Sequence, residues 1–579
     1  MKVSDAPPAG CEALAGAEIF NHGFLPVAAA YCRSLGLAEL VDRMVPTRME
    51  VRPGVVVQAM VLDTLSGRTP LYRVEQFLGG QDVELLVGER VAAHAFNDSN
   101  LARSLDAIFA AGPSKIVTEL GLRAATVFRL DTTVPSYDTT STSVWGDYVL
   151  CAAQPPPPGP RVTHGHSKDH LPELKQFMTE LLCVDRGVPI FGGTLDGNAS
   201  DKTSNNRLLS RIGAVMARHG LGPGAFVYVA DSAMVTEKNL DAVRPNRFIS
   251  RLPATYAECA RAIAAAVDGG AWTDLGRLAE NAAGTARPCA IYKAFETSVV
   301  LYGKTYRAVV IHSSAHDKRR QKKLSKALAA SAKELKTALG KLQKVYFCEA
   351  DARTAAARAA RLSDRLHRVT AAVRPVEVRR RGRPPVNGPA PTTTRYTLAW
   401  DLAVDTVGVE RARSLAGCFV LLTNVPTAGP GAMEAARLLR TYKGQYGVER
   451  DFAFLKDPLV VNDLFLKTPS RIDALGMVLI IALMVWRLME RSMRAYVQNA
   501  KTTLPGWDRR ATTKPTAFMM TTAMTDVMVA VIDGQRRMLH APGPNQAAFL
   551  QALGLGPRAF LDPGCRCEPV IPLSVASKE

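Results

Sequence analysis

The chain has no paired cysteine framework, no apolar leader and no hydrophobic run long enough to span a membrane. Its ten cysteines, Cys11, Cys32, Cys151, Cys183, Cys259, Cys289, Cys348, Cys418, Cys565 and Cys567, contain no CxxC pair. That excludes a disulfide scaffold and fits reduced thiols in a cytoplasm. Cys565-Arg-Cys567 has no second pair nearby and makes a poor zinc site. The opening Met1-Lys-Val-Ser-Asp-Ala-Pro-Pro lacks a signal region. The most membrane-like run, Ala474 to Trp486, covers about 13 residues, short of the roughly 20 a spanning helix needs. It reads as a buried helix, and no membrane association is expected.

Acidic residues are also scarce. Asp+Glu number 53 against 72 Lys+Arg, giving a net charge of +19 and a pI near 9.6, a balance that favours a polyanionic partner. The excess is concentrated: Asp317 to Pro385 holds 20 Lys/Arg and 6 Asp/Glu, a surplus of 14 within 69 residues. A segment this lopsided reads as a phosphate-contacting surface, with plain solvated helices as the alternative. At 579 residues and 47% hydrophobic content the chain is ordered and too long for a single core.

Four polar residues stand out in Tyr442-Lys-Gly-Gln-Tyr-Gly-Val-Glu-Arg-Asp-Phe-Ala-Phe-Leu-Lys456. On one continuous helix Tyr442, Gln445, Glu449 and Lys456 would fall within an arc of about 60°. Val448, Phe452 and Leu455 would form an apolar stripe beside them. A carboxylate flanked by a phenol, an amide and an ammonium suits a metal and a phosphodiester; a solvated amphipathic helix is the alternative. Two short runs read as strands that stop on an aspartate: Thr126-Val-Phe-Arg-Leu130 before Asp131, and Ala225-Phe-Val-Tyr-Val-Ala230 before Asp231. Carboxylates at the ends of neighbouring strands are where α/β proteins build sites, and hard oxygen ligands suit Mg²⁺ or Mn²⁺. Singly, each Asp also reads as a helix cap or loop residue.

The order Asp131, Asp231, Glu449, with Tyr-x2-Gln-x3-Glu-x6-Lys around the glutamate, resembles a bacterial insertion-sequence DDE transposase of the group with a Tyr-Arg-Glu-Lys (YREK) signature. Further matching stretches are Gly165-His-Ser-Lys-Asp-His-Leu-Pro-Glu-Leu-Lys-Gln176, Thr194-Leu-Asp-Gly-Asn198 with Ser200-Asp-Lys-Thr203, Val229-Ala-Asp-Ser-Ala-Met-Val235 and Lys456-Asp-Pro-Leu459. The likeness runs from about residue 20 to 500. Gln445 stands where the family carries Arg, so that position would orient a phosphate without adding charge.

The resemblance implies an α/β, ribonuclease-H-like mixed-sheet core interrupted by a large insertion. Asp131, Asp231 and Glu449 would be the catalytic metal ligands, holding two Mg²⁺ or Mn²⁺ ions about 3.5–4 Å apart for in-line displacement. Tyr442, Gln445 and Lys456 would hold terminal phosphates, with Lys443, Arg450, Arg381 and Arg383 as further DNA contacts. The partner would be double-stranded DNA, both inverted-repeat ends and target, bound by a homodimer at the nucleoid. A metal-dependent nuclease without joining activity, or a decayed DNA-binding protein, are the rival classes.

The expected organisation follows. Residues 1–120 form a helical module for end binding or dimerisation, 121–240 the first part of the core, and 241–415 the insertion. Residues 416–500 complete the core with the strand Cys418–Thr423 and the Glu449 helix, and 501–579 form a helical tail. Within the insertion, Ser298–Tyr302 and Thr305–Ile311 flank a Gly303-Lys304 turn. A long helix with near-heptad Leu324 to Val345 and an Ala/Arg-rich helix around Ala355 to Leu366 follow, as a basic hairpin or a coiled coil. Arg379-Arg-Arg-Gly-Arg-Pro-Pro385 reads as a basic linker, with an AT-hook-like core as the alternative. His166 and His170 have metal-pair spacing, but Gly165 and the Gln154–Pro160 proline run argue against a regular helix, so packing, or contacts that support the acids, is expected.

Overall fold

The computed structural model describes residues 17–67, 69–148, 157–185, 187–278, 290–381, 391–457 and 466–573. The chain divides into two compact units, Met1–Ser250 with Thr441–Glu579, and Arg251–Arg440.

The first unit opens with a short strand, β1 (Glu18–Asn21), and seven helices: α1 (Leu25–Leu35), α2 (Leu37–Met44), α3 (Pro53–Leu65), α4 (Val74–Gly79), α5 (Val83–Val87), α6 (Asp98–Ala111) and α7 (Pro113–Val127). Pro53 and Pro113 sit in the first turns of their helices, where a missing N–H costs nothing. Then come β2 (Ser136–Val144), β3 (Lys175–Val184), β4 (Val188–Leu195), α8 (Asp201–Arg218), β5 (Val227–Ala230), α9 (Glu237–Ala242) and β6 (Arg247–Arg251). The strands lie in the order β4-β3-β2-β5-β6. β4, β3 and β2 form an antiparallel meander, whereas β5 runs parallel to both β2 and β6. A mixed sheet with a helical N-terminal region is the α/β class expected from the sequence.

The second unit carries α10 (Ala257–Gly269), β7 (Thr273–Arg277), β8 (Ile291–Leu301), β9 (Lys304–Ser313), α11 (Ser314–Leu342), α12 (Glu349–Ala360), β10 (His367–Arg379), β11 (Thr392–Val404), α13 (Thr406–Ala416) and β12 (Cys418–Thr423), then most of α14 (Ala435–Lys443). β8 and β9 close on the two-residue turn Tyr302-Gly303, one residue earlier than the expected Gly303-Lys304; both turn residues have positive φ, which matches the right-handed twist of the strands. β12, the strand expected in the second part of the core, pairs antiparallel with β9 and lies in this second unit. α11 and α12 do not form a coiled coil. Leu339 and Ala359 pack with Val369 of β10, while Ala352 and Ala355 pack with Tyr346 and Leu398 of β11. Arg379, where the expected linker begins, ends β10; residues 382–390, Arg383 among them, are outside the described residues.

The chain then returns to the first unit with α15 (Tyr446–Leu455), α16 (Pro469–Asn499), β13 (Leu504–Pro505), β14 (Ala511–Thr512), α17 (Ala517–Ala523), β15 (Met528–Ile532), β16 (Gln535–Met538) and α18 (Pro544–Ala552). The tail is therefore mixed rather than helical. β15 pairs with β1, and Arg536 grips Asp82 and Glu84 of the N-terminal helices.

The apolar run expected as a short buried helix is the middle of the 31-residue α16. By length and composition α16 could cross a membrane, but 94% of its apolar window is buried inside the protein. It is a core helix packed against β4. Gly476 makes the close approach possible: a Cβ there would lie 2.6 Å from Thr194 Cγ2.

α15 is locked to α16 by charge as well as by apolar contact. Asp451 is fully buried, 2.5 Å from Arg487 Nε, and Arg487 reaches on to Glu490 at 3.1 Å. Removing one partner strands the other in a dry interior. Arg487→Leu is expected to destabilise the first unit by about 3–5 kcal/mol, and Asp451→Asn added to it should recover part of the loss. Urea denaturation followed at Trp486, whose ring packs against Phe454 of α15 and Phe518, tests this. Equal midpoints for single variant and wild type would remove the pair from any structural role.

Candidate functional site

The register of two parallel strands brings the acids together. Tyr137 of β2 is level with Ala230 of β5, so the next residues, Asp138 and Asp231, stand side by side. Asp201, the first residue of α8, accepts from Thr139 Oγ1 at 2.5 Å. Lys168, from the Gly165–Gln176 stretch, enters the cluster as its cation. Its Nζ donates to Thr139 O at 2.6 Å and to Thr139 Oγ1 at 3.0 Å. It lies 3.3 Å from Asp201 Oδ2 and 3.8 Å from Asp138 Oδ1.

Asp131 is not in this cluster. The run Thr126–Leu130 is not a strand: Thr126 and Val127 end α7, whose Ile116, Val117, Leu120 and Ala124 face the core. Its β-branched residues belong to a helix C-terminus. Asp131 follows in a turn before β2, seven residues along the chain from Asp138, accepting from Thr133 N and Oγ1, and its own N–H donates to Asp185. The sequence carries Asp-Thr-Thr twice, at 131 and 138. The second copy continues into the hydroxyl-rich run Ser141-Thr-Ser-Val144 of β2, which is the signal that distinguishes it.

The helix from Tyr442 to Lys456 is broken. α14 ends at Lys443 and α15 starts at Tyr446, with Gly444 and Gln445 between them closing through tight i→i+3 hydrogen bonds. Glycine costs about 1 kcal/mol in a helix interior, and Gly444 and Gly447 flank the break. Tyr442 is half-buried on α14, Lys443 is exposed and Gln445 is buried at the junction. Glu449 is exposed on α15 and is not among the charges acting on Asp138 or Asp231. Lys456 does reach the site's border, pairing with Asp169 at 2.6 Å, next to Lys168. Arg450 pairs with buried Glu490 at 3.2 Å while its own side chain stays 37% exposed. Arg381 is exposed at the ribbon tip. His164 Nε2 meets Glu173 O at 3.3 Å, the local contact of a loop histidine.

Burial dominates the electrostatics. It pushes the Asp138 carboxyl up to about 7, against Lys168 and with help from Asp231 and Asp201. Burial, then Asp201, also raises Asp231. Crowded carboxylates with one ammonium among them favour additional positive charge. Among the described residues, no three acidic, histidine or cysteine side chains converge closely enough to hold a metal ion as they stand. The donor chemistry nonetheless fits a divalent cation: the oxygens are hard, and the Lys168 ammonium marks where positive charge already sits. Asp138, Asp231 and Asp201 are the residues that would hold it once Lys168 withdraws.

The family model described as Domain of unknown function (DUF4277) matches residues 17–122, the N-terminal helices. No curated protein matches the chain.

A carboxyl whose pKa is higher in the folded than in the unfolded chain costs stability as it ionises. For Asp138 the cost is absent below about pH 4, its ordinary range, grows with pH, and is complete above about 7. In EDTA, Asp138→Asn should change Tm little near pH 4 and raise it by several degrees near pH 8. A difference of the same size at both pH values would show that Asp138 titrates normally.

Proposed function

We propose that the chain is a DNA transposase of the DDE type, which binds the ends of an insertion sequence, cuts them and joins them to target DNA. One observation carries the reading: Asp138 and Asp231 stand level on adjacent parallel strands of a mixed sheet, with Lys168 as their cation. An antiparallel meander followed by two parallel strands is also the order of a ribonuclease-H-like sheet. The basic surplus and the ordered motifs from Gly165 to Lys456 support the same class.

In this reading Asp138 replaces Asp131 as the first acid. Asp138 and Asp231 bind and orient Mg²⁺ or Mn²⁺. A cation held there would supply positive charge to the phosphodiester and the leaving oxygen. Lys168 holds the carboxylates together beforehand, and α15 presents Glu449 and Lys456 along one edge. Seven residues separate the two, about 10 Å of helix, so Glu449 serves as third acid only if α15 shifts when DNA binds. Asp201, already in the cluster, competes for that role. Lys456, released from Asp169, would hold a terminal phosphate beside Tyr442 and Gln445.

The test is cleavage and joining with DNA spanning both flanks of the protein's own gene, a plasmid target, and Mg²⁺ or Mn²⁺. Asp138→Asn and Asp231→Asn should each lower cleavage by about a hundredfold or more while DNA binding persists, the effect of losing a metal ligand. Asp131→Asn should cut normally. Comparing Glu449→Gln with Asp201→Asn identifies the third acid by which one abolishes cutting. Full activity of the Asp138 variant beside an inactive Asp131 variant would return the first-acid role to Asp131. Cutting without joining would make the protein a nuclease.

A further inference from the structure

The two-stranded ribbon β10–β11 has two unlike faces. His367 pairs with Val404 and Arg379 with Thr392 across thirteen residues, so alternate residues from Arg368 share the side turned away from the helices. The other side is committed: Val369, Val373, Leu398 and Trp400 pack on α11 and α12. The outward side carries Arg368, Arg374 and Arg380 on β10 and Arg395 on β11. Its one carboxylate among the described residues is Asp401, whereas Glu377 belongs to the helix side, held by Thr394.

Apolar and aromatic groups interleave with these cations. Val376 and Val378 are 41% and 38% exposed, and Phe347 is 75% exposed. Phe347 reaches this face because its neighbour Tyr346 bridges to Tyr396 and is buried on the helix side. The Arg395 guanidinium lies 3.9 Å from the Phe347 ring centroid. Among the described residues none of the four arginines is ion-paired. Arg368, Arg374 and Arg380 recur every six residues, about 20 Å apart along an extended strand. A solvated face of a soluble protein mixes both charge signs; this one carries four cations to one anion, with exposed apolar groups between.

We propose that the outward face of the β10–β11 ribbon is a docking surface for duplex DNA, independent of base sequence. The major groove, about 12 Å wide, admits a two-stranded β-ribbon. Arginines at this spacing meet the flanking phosphates, and Val376, Val378 and Phe347 contact the groove wall. The inference rests on the reading of the protein as one that acts on DNA, and it assigns to this face the binding of DNA outside the element's ends. A second protein copy is the competing occupant, but repeated unpaired arginines would repel their own kind.

The full-length protein is titrated into a fluorescein-labelled random-sequence 30-base-pair duplex in EDTA, with anisotropy read at several salt concentrations. Arg368→Glu/Arg374→Glu/Arg395→Glu should raise Kd by about tenfold or more and lower the log Kd–log salt slope by about 3, roughly 0.9 for each phosphate no longer neutralised. Lys322→Glu/Lys323→Glu/Lys326→Glu on α11 reverses the same charge on exposed residues of the same unit, and should change Kd by only about twofold to threefold. Light scattering on all samples reports oligomeric state. The inference is overturned if the ribbon variant binds as wild type does, if the α11 variant loses as much, or if the ribbon variant changes only its oligomeric mass. Wild-type protein with no affinity for the duplex would overturn the DNA reading itself, which separates that failure from the ribbon's.

Discussion

The first unit depends on α16, a helix buried along most of its length, and on the charged pair that fastens α15 to it. Apolar burial alone would let α15 slide, because Phe452, Phe454 and Leu455 present similar surfaces at several registers. The Asp451–Arg487 contact at 2.5 Å admits one register only. Burial pushes the Asp451 carboxyl up to about 7 even beside Arg487, so desolvation is large and the pair is not a simple source of stability. Its value lies in specificity: it fixes where Lys456 meets Asp169, and therefore where α15 meets the acid cluster. Two helices that follow β6 by about 200 residues are thereby returned to the sheet with defined geometry.

The acid cluster depends on a different constraint, strand register. Side chains alternate with period two along a strand, so a slip of one residue between β2 and β5 would turn Asp138 away from Asp231. The register is held by Val229 N to Pro135 O and Val227 N to Thr133 O, both 2.9 Å. Asp201 arrives through another rule: Ser200 precedes α8, and an acid in the first helical turn faces the helix dipole. Lys168 then offsets part of the repulsion among the three. At 4 Å and an effective dielectric of about 20, one such pair is worth about 4 kcal/mol, enough to hold a loop lysine against its conformational entropy.

Much of this was legible in the sequence. The α/β class, the helical N-terminus, the β8–β9 hairpin, the α11 helix and the strand before Asp231 all follow from periodicity and turn chemistry. The pairing of Asp138 with Asp231 was not, because Asp-Thr-Thr occurs twice within ten residues and neither copy is marked by its spacing. Thr126–Leu130 carries β-branched and aromatic residues, but helical periodicity reaching back to Ile116 outweighs five residues of strand propensity. The polar arc from Tyr442 to Lys456 assumed an unbroken helix; Gly444 and Gly447 were the signal against it. The Arg450–Glu490 pair was not legible because Glu490 lies 40 residues away on another helix. Asp201 and Lys168 lay inside recognisable motifs, yet spacing alone could not show that the two meet.

Charge is distributed in a way that composition conceals. A net charge of +19 suggests a uniformly basic surface, whereas the acid cluster is locally negative even with Lys168 counted. A phosphodiester would be repelled from such a cluster unless further cations entered with it. Long-range attraction must therefore come from elsewhere, and the surplus of 14 between Asp317 and Pro385 lies in the second unit. In the DNA reading, the residues that would draw in the polyanion belong to a different stretch of chain from Asp138, Asp201 and Asp231.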